Sequence, residues 1–79
     1  MTLRIRYFAM LREQAGVSEE NIRTSAATPA ALWEELRQRH GFGAPLSALS
    51  VAVNEEFVSP ERALRDGDTV VFIPPVAGG

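Results

Sequence analysis

The chain has 79 residues, with 46% apolar and 23% charged: a single globular domain, not a disordered segment or a fibre. A formal net charge of −2 argues against nucleic-acid binding, and no apolar run approaches the roughly 20 residues of a membrane-spanning helix. Cysteine is absent, which excludes disulfides, zinc–thiolate sites and thiol nucleophiles, and a cytoplasmic protein is the simplest expectation.

Residues 2–8 alternate, with Leu3, Ile5 and Tyr7 on one face and Arg4, Arg6 and Phe8 on the other, the period-2 signature of a strand. Residues 9–15 predict a short helix stopped by Gly16, and residues 20–25 a weaker edge strand carried by Ile22. The strongest helix signal follows. Thr28 is a natural N-cap, Pro29 suits the first helical position, Leu32, Trp33 and Leu36 form an apolar stripe, and Gly41 ends the helix near His40. Glu34, Glu35, Gln38 and Arg39 are expected to face water, with Glu35 and Arg39 paired at i,i+4. Residues 50–54 predict another strand, a turn at Glu55–Glu56 leads to a short strand over residues 57–59, and residues 60–64 look like one helical turn. Asp66-Gly67-Asp68 is turn chemistry, and residues 69–73 form the last strand, with Val70 and Phe72 opposed to Val71 and Ile73. One long helix after the first hairpin of a mixed sheet is an α+β, two-layer design, most economically a β-grasp with the first and last strands parallel in the centre.

A self-contained active site is hard to find. One His without Cys makes no transition-metal site by itself, and His40 is read as a partner for the negative end of its helix. Asp66-Gly67-Asp68 lacks the further spaced carboxylates of a calcium loop. The adjacent Glu pairs share no catalytic geometry, no Gly-rich loop joins a strand to a helix, and Trp33 belongs to the core stripe.

The unusual feature is the end of the chain, Pro74-Pro75-Val76-Ala77-Gly78-Gly79. Two prolines stop strand pairing and favour a stiff extended segment over residues 74–79. Beyond the two prolines, Val76 to Gly79 would reach about 13 to 14 Å, with small residues towards the tip to enter a narrow channel. A terminal carboxylate is a poor electrophile until something such as adenylation gives it a leaving group; attack by sulfur would then leave a nucleophilic thiocarboxylate.

The opening Tyr7-Phe8-Ala9 with Leu11-Arg12-Glu13 and Gly16, then Val53-Asn54, Asp66-Gly67-Asp68-Thr69-Val70 and the segment from Phe72 to Gly79, resemble the ubiquitin-like sulfur carriers, in particular molybdopterin synthase small subunits. The match spans nearly the whole chain. The resemblance implies that an adenylating enzyme uses ATP to activate Gly79, a sulfur donor enzyme converts it to a thiocarboxylate, and the large synthase subunit accepts the tail. Sulfur then passes to cyclic pyranopterin monophosphate. The chain would be no enzyme by itself, would bind no cofactor, and would sit in an assembly of two small and two large subunits. Gly78 supplies tail flexibility, and Phe8, Arg12, Phe57, Ile73, Pro74, Pro75, Val76 and Ala77 are the expected partner contacts.

Residue parity independently suggests a docking surface, because a helix covering Leu3, Ile5, Val70 and Phe72 leaves Phe8, Val71 and Ile73 on the opposite face, with Phe57 nearby. Three alternatives stand beside the leading reading: a protein modifier ending as an isopeptide on lysines, a sulfur carrier for thiamine, cysteine or tRNA thiolation, and a plain binding module. All eight basic residues are Arg and none is Lys, a pattern that fits either a coding bias or a chain that offers no amine to its own activated end.

Overall fold

Alternation in the first strand decides which side of the sheet is buried. In the computed structural model, which describes residues 1–75, Leu3, Ile5 and Tyr7 of β1 (Thr2–Tyr7) are buried while Thr2, Arg4 and Arg6 are exposed. The elements that follow are α1 (Ala9–Ala15), β2 (Glu19–Arg23), α2 (Pro29–His40), a 3₁₀ turn at Leu46–Ala48, β3 (Ser50–Val53), β4 (Glu56–Val58) and β5 (Thr69–Ile73). The sheet order is β2-β1-β5-β3-β4, with β1 and β5 parallel and the other neighbours antiparallel. This is the expected β-grasp.

Helix α2 forms where its caps allow. Thr28 Oγ1 accepts from the Ala31 N–H at 3.2 Å, Pro29 opens the first turn, and Gly41 closes the last with φ 73°. Its buried stripe is Leu32, Trp33 and Leu36. Trp33 stacks on Phe42 with centroids 5.1 Å apart and leans on Phe72 of β5 at 4.9 Å, while its indole N–H donates to the Ala44 carbonyl at 3.1 Å. The core thus lies between α2 and the face of the sheet that carries Leu3, Ile5, Val51, Val53, Val70 and Phe72.

Four local expectations are corrected. The β3–β4 turn is Asn54–Glu55, one residue early: both adopt left-handed backbone, φ 51° and 72°, and Val53 pairs with Glu56 across a two-residue hairpin. Residues 60–64 form a turn and no helix, since the Ala30 N–H donates to the Pro60 carbonyl and the Leu64 N–H to that of Ala27, ties to other segments rather than up a helix. On α2, Glu35 accepts from the Thr24 hydroxyl at 2.6 Å and Arg39 reaches Glu20 at 3.5 Å, so the expected Glu35–Arg39 pair gives way to tertiary partners; the pair along the helix is Glu34–Arg37 at 3.0 Å. His40 turns its ring to Glu20 instead of remaining a simple partner for the helix end.

Candidate functional site

The face of the sheet opposite α2 is assembled by register. One row across the strands runs Glu19, Arg6, Val71, Ala52, Phe57, and the next places Ile73 against Ser50. Arg4, Arg6 and Glu19 make the β1–β2 side polar, with both guanidinium Nε atoms 3.7 to 3.8 Å from Glu19. Val71, Ala52 and Phe57 make the β5–β3–β4 side apolar, and Phe57, at 76% exposure, is the most exposed large apolar side chain among the described residues. It stands out because β4 has only three residues and forms the sheet edge.

Phe8 belongs to this face through a break in the backbone. It continues the extended conformation of β1 (φ −122°, ψ 154°) and so turns away from the side of Tyr7, and Ala9 then takes φ 51° to start α1. A left-handed Ala costs about 1 kcal/mol. It is held there by burial of Leu11, whose N–H donates to the Phe8 carbonyl at 3.1 Å. Phe8 remains 44% exposed.

Because β1 and β5 run parallel with Tyr7 opposite Phe72, Phe8 and Ile73 reach the same end of the sheet, where the chain leaves it. Ile73 and Pro74 are half-buried and Pro75 is exposed. Arg12 is exposed in the last turn of α1. Six of the expected contact residues, Phe8, Arg12, Phe57, Ile73, Pro74 and Pro75, are therefore described: Phe57 lies at the far side of the apolar strip, Arg12 on α1, and the rest at the tail root. Val76, Ala77, Gly78 and Gly79 lie outside the described residues.

The described residues contain no group of three or more His, Cys, Asp or Glu arranged to hold a metal. An open cavity of about 340 Å³ on the polar side is lined by Arg4, Arg6, Glu19, Asn54, Glu55 and Thr69, which supply paired charge but no base-activated nucleophile.

One cluster was missed by sequence reasoning. The Tyr7 hydroxyl and His40 Nε2 both bond Oε2 of Glu20, at 2.5 and 2.6 Å, and Arg39 lies 3.5 Å from Oε1. Burial and the Glu20 carboxylate push the Tyr7 phenol far up. Burial pushes the Glu20 carboxyl up, but the bonds from Tyr7 and His40 and the Arg39 charge together hold it below the usual carboxylate range. The signal was available: Glu20 lies two residues before the inward Ile22 on β2, so strand parity puts its carboxylate on the core side, where an inward Tyr needs an acceptor. Met10 and Val17, at 46% and 43% exposure, add apolar surface that the strand pattern did not indicate.

The sequence profile of the ThiS family matches residues 5–79. The chain belongs to the ThiS family. A relative from Chlamydomonas reinhardtii named molybdopterin synthase sulfur carrier subunit is 35% identical over 83 residues, covering all of both chains. Among solved structures, SAMP1 of Haloferax volcanii, a small archaeal modifier protein, has the same fold with a TM-score of 0.83, 26% identity and full coverage of both chains. A complex of subunits 1 and 2 of the molybdopterin-converting factor from Helicobacter pylori contains a chain with 25% identity and a TM-score of 0.69, again over the whole of both. ThiS-family membership thus joins a sheet with one unhelical face to a Gly-Gly end. None of the helices among the described residues is long and apolar enough to cross a membrane.

Proposed function

We propose that this ThiS-family chain is the sulfur carrier subunit of a molybdopterin synthase. The observation that carries the reading is the parallel β1–β5 pairing, which sets Phe8, Ile73 and the root of the Gly-Gly tail at one end of a sheet whose outer face is apolar from Val71 to Phe57. A partner that covers the strip receives the tail at a fixed place. In the cycle, the Gly79 carboxylate attacks the α-phosphorus of ATP held by an adenylating enzyme, and pyrophosphate leaves. Sulfur from a donor enzyme then displaces AMP and leaves a thiocarboxylate. The large subunit accepts the tail and supplies the acid–base groups while sulfur passes to cyclic pyranopterin monophosphate; water restores the Gly79 carboxylate. This chain's own share is to bind, to hold the acyl end at a set distance, and to turn over between states.

Support comes from the name of the 35%-identical relative and from the Helicobacter pylori complex, in which a chain of this fold sits with a second subunit. The likeness to SAMP1 favours one other reading, a protein modifier that uses the same activation. Mass spectrometry after incubation with an activating enzyme, ATP and sulfide separates them. The carrier reading expects the gain of one oxygen replaced by sulfur; stable adducts on other proteins without that gain would favour the modifier.

A further inference from the structure

The outer face of the sheet carries charge of opposite sign on its two sides. Arg4 and Arg6 of β1 form one wall of the open cavity, Glu55 at the β3–β4 turn forms the other, and Thr69 of β5 lies between them. Glu19 sits between the two guanidiniums, 3.7 to 3.8 Å from each Nε, so a net positive charge stays on the β1 side. Glu55 is in no ion pair among the described residues, so a negative charge stays on the hairpin side. Val71, Ala52 and Phe57 continue the row that holds Arg6, and Ile73 follows in the next.

Register sets the two charged sides at one height. Arg4 lies opposite Thr69, and the Asn54 N–H donates to the Thr69 carbonyl at 2.9 Å, so Arg4 and the Asn54–Glu55 turn stand level across β5. In the order β2-β1-β5-β3-β4, Arg4 is one strand from β5 on one side, and the turn joins the two strands on the other. A half-turn about an axis along β5 therefore lays two copies face to face, exchanging the sides and keeping the heights. Arg4 of each copy then meets Glu55 of the other, and Val71 and Ile73 meet their own counterparts near the axis. Phe57 comes over Arg6 of the other copy, a cation–π contact. Sheets packed this way lie about 10 Å apart, a gap that an Arg and a Glu side chain bridge together.

We infer that this face binds a second copy of the chain, as a two-fold dimer held by reciprocal Arg4–Glu55 pairs around the apolar strip. Charge selects this occupant: each copy supplies both the cation and the anion that the other lacks, at matching positions. The strip is small beside an obligate interface, so the dimer is a weak one that fills at millimolar concentration. The inference goes beyond the carrier reading and does not depend on it. Both use the same strip, so a second copy and a large subunit exclude each other there.

The test needs the full chain alone, in sedimentation equilibrium up to millimolar concentration. Arg4→Glu sets two acidic pairs across the two-fold, and Glu55→Arg sets two basic pairs; each is expected to raise the dimer dissociation constant at least tenfold. An equimolar mixture of the two variants restores both pairs in a heterodimer, and its dissociation constant should return to within about threefold of wild type. Both positions are exposed, and equal melting temperatures confirm folding. Where a reversal lowers the melting temperature, Arg4→Gln and Glu55→Gln take its place, each with a smaller loss expected. Wild type that stays monomeric at millimolar concentration would overturn the inference. So would single variants that dimerise as wild type does, a mixture with no gain over its components, or open-ended oligomers in place of a dimer.

Discussion

The Tyr7 hydroxyl donates to the Glu20 carboxylate at 2.5 Å, a bond that ties the interior strand β1 to the edge strand β2 beneath the C-terminal turn of α2. A hydrogen bond to a charged, partly buried acceptor contributes about 1.5 to 3 kcal/mol. Tyr7→Phe keeps the ring contacts with His40 and Phe42 and leaves Glu20 with His40 and Arg39, so the lower end is expected. The melting temperature should fall by several degrees. Affinity for the large subunit should hold, because the cluster lies on the side of the sheet away from Phe57. Calorimetry of both quantities checks this.

The same cluster sets an acid limb. Glu20 is depressed in the folded state, so its contribution is fully present above the unfolded carboxylate value of about 4.3 and is lost as pH falls through the lower folded value. Asp68 behaves alike: burial pushes it up, but the Arg65 N–H, the Asn54 amide and the nearby Arg62 and Arg65 charges outweigh that and hold it low. Stability should drop below about pH 4, and Glu20→Gln should flatten part of the drop while lowering the plateau at pH 7. Chemical denaturation at a series of pH values measures it.

The β3–β4 hairpin carries removable strain. Glu55 sits at φ 72° in the second turn position, where a two-residue hairpin of this kind favours Gly. Glu55→Gly creates Asn-Gly there and is expected to stabilise by about 0.5 to 1 kcal/mol, since relief of the left-handed penalty exceeds the entropy cost of Gly. An increase in the denaturation midpoint with an unchanged slope is the sign to look for.

Much of this was legible in the sequence, for identifiable reasons. Alternation in residues 2–7 and 69–73 and the caps Thr28 and Gly41 are local signals, and the structure keeps each of them. The outer-face placement of Phe8 and Ile73 followed from parity, while Phe57 was set beside them by its short strand and turn. The failures are tertiary. Glu35, Arg39 and His40 chose partners on β2 or the segment after it, which helix spacing cannot reveal. The hairpin turn slipped by one residue because Asn54 and Glu55 accept left-handed backbone without any Gly to announce it.

The docking strip should be separable from stability. Phe57→Asp removes an exposed ring and adds charge at the apolar end of the strip, and Phe8→Asp does so at the tail root. Each is expected to weaken binding to the large subunit at least tenfold, as for a buried aromatic anchor, with a melting temperature within a few degrees of wild type. Equal affinity by calorimetry would remove that residue from the interface.

Single-turnover sulfur transfer tests the central claim most directly. Thiocarboxylated chain, large subunit and cyclic pyranopterin monophosphate are mixed, and dithiolene product is quantified against consumed thiocarboxylate. Wild type should deliver its sulfur, whereas a thiocarboxylated variant lacking Gly79 should fold and bind but fail, because its acyl carbon stops about 3.5 Å short. Equal transfer by the shortened chain, or none by wild type with a competent large subunit, would contradict the account.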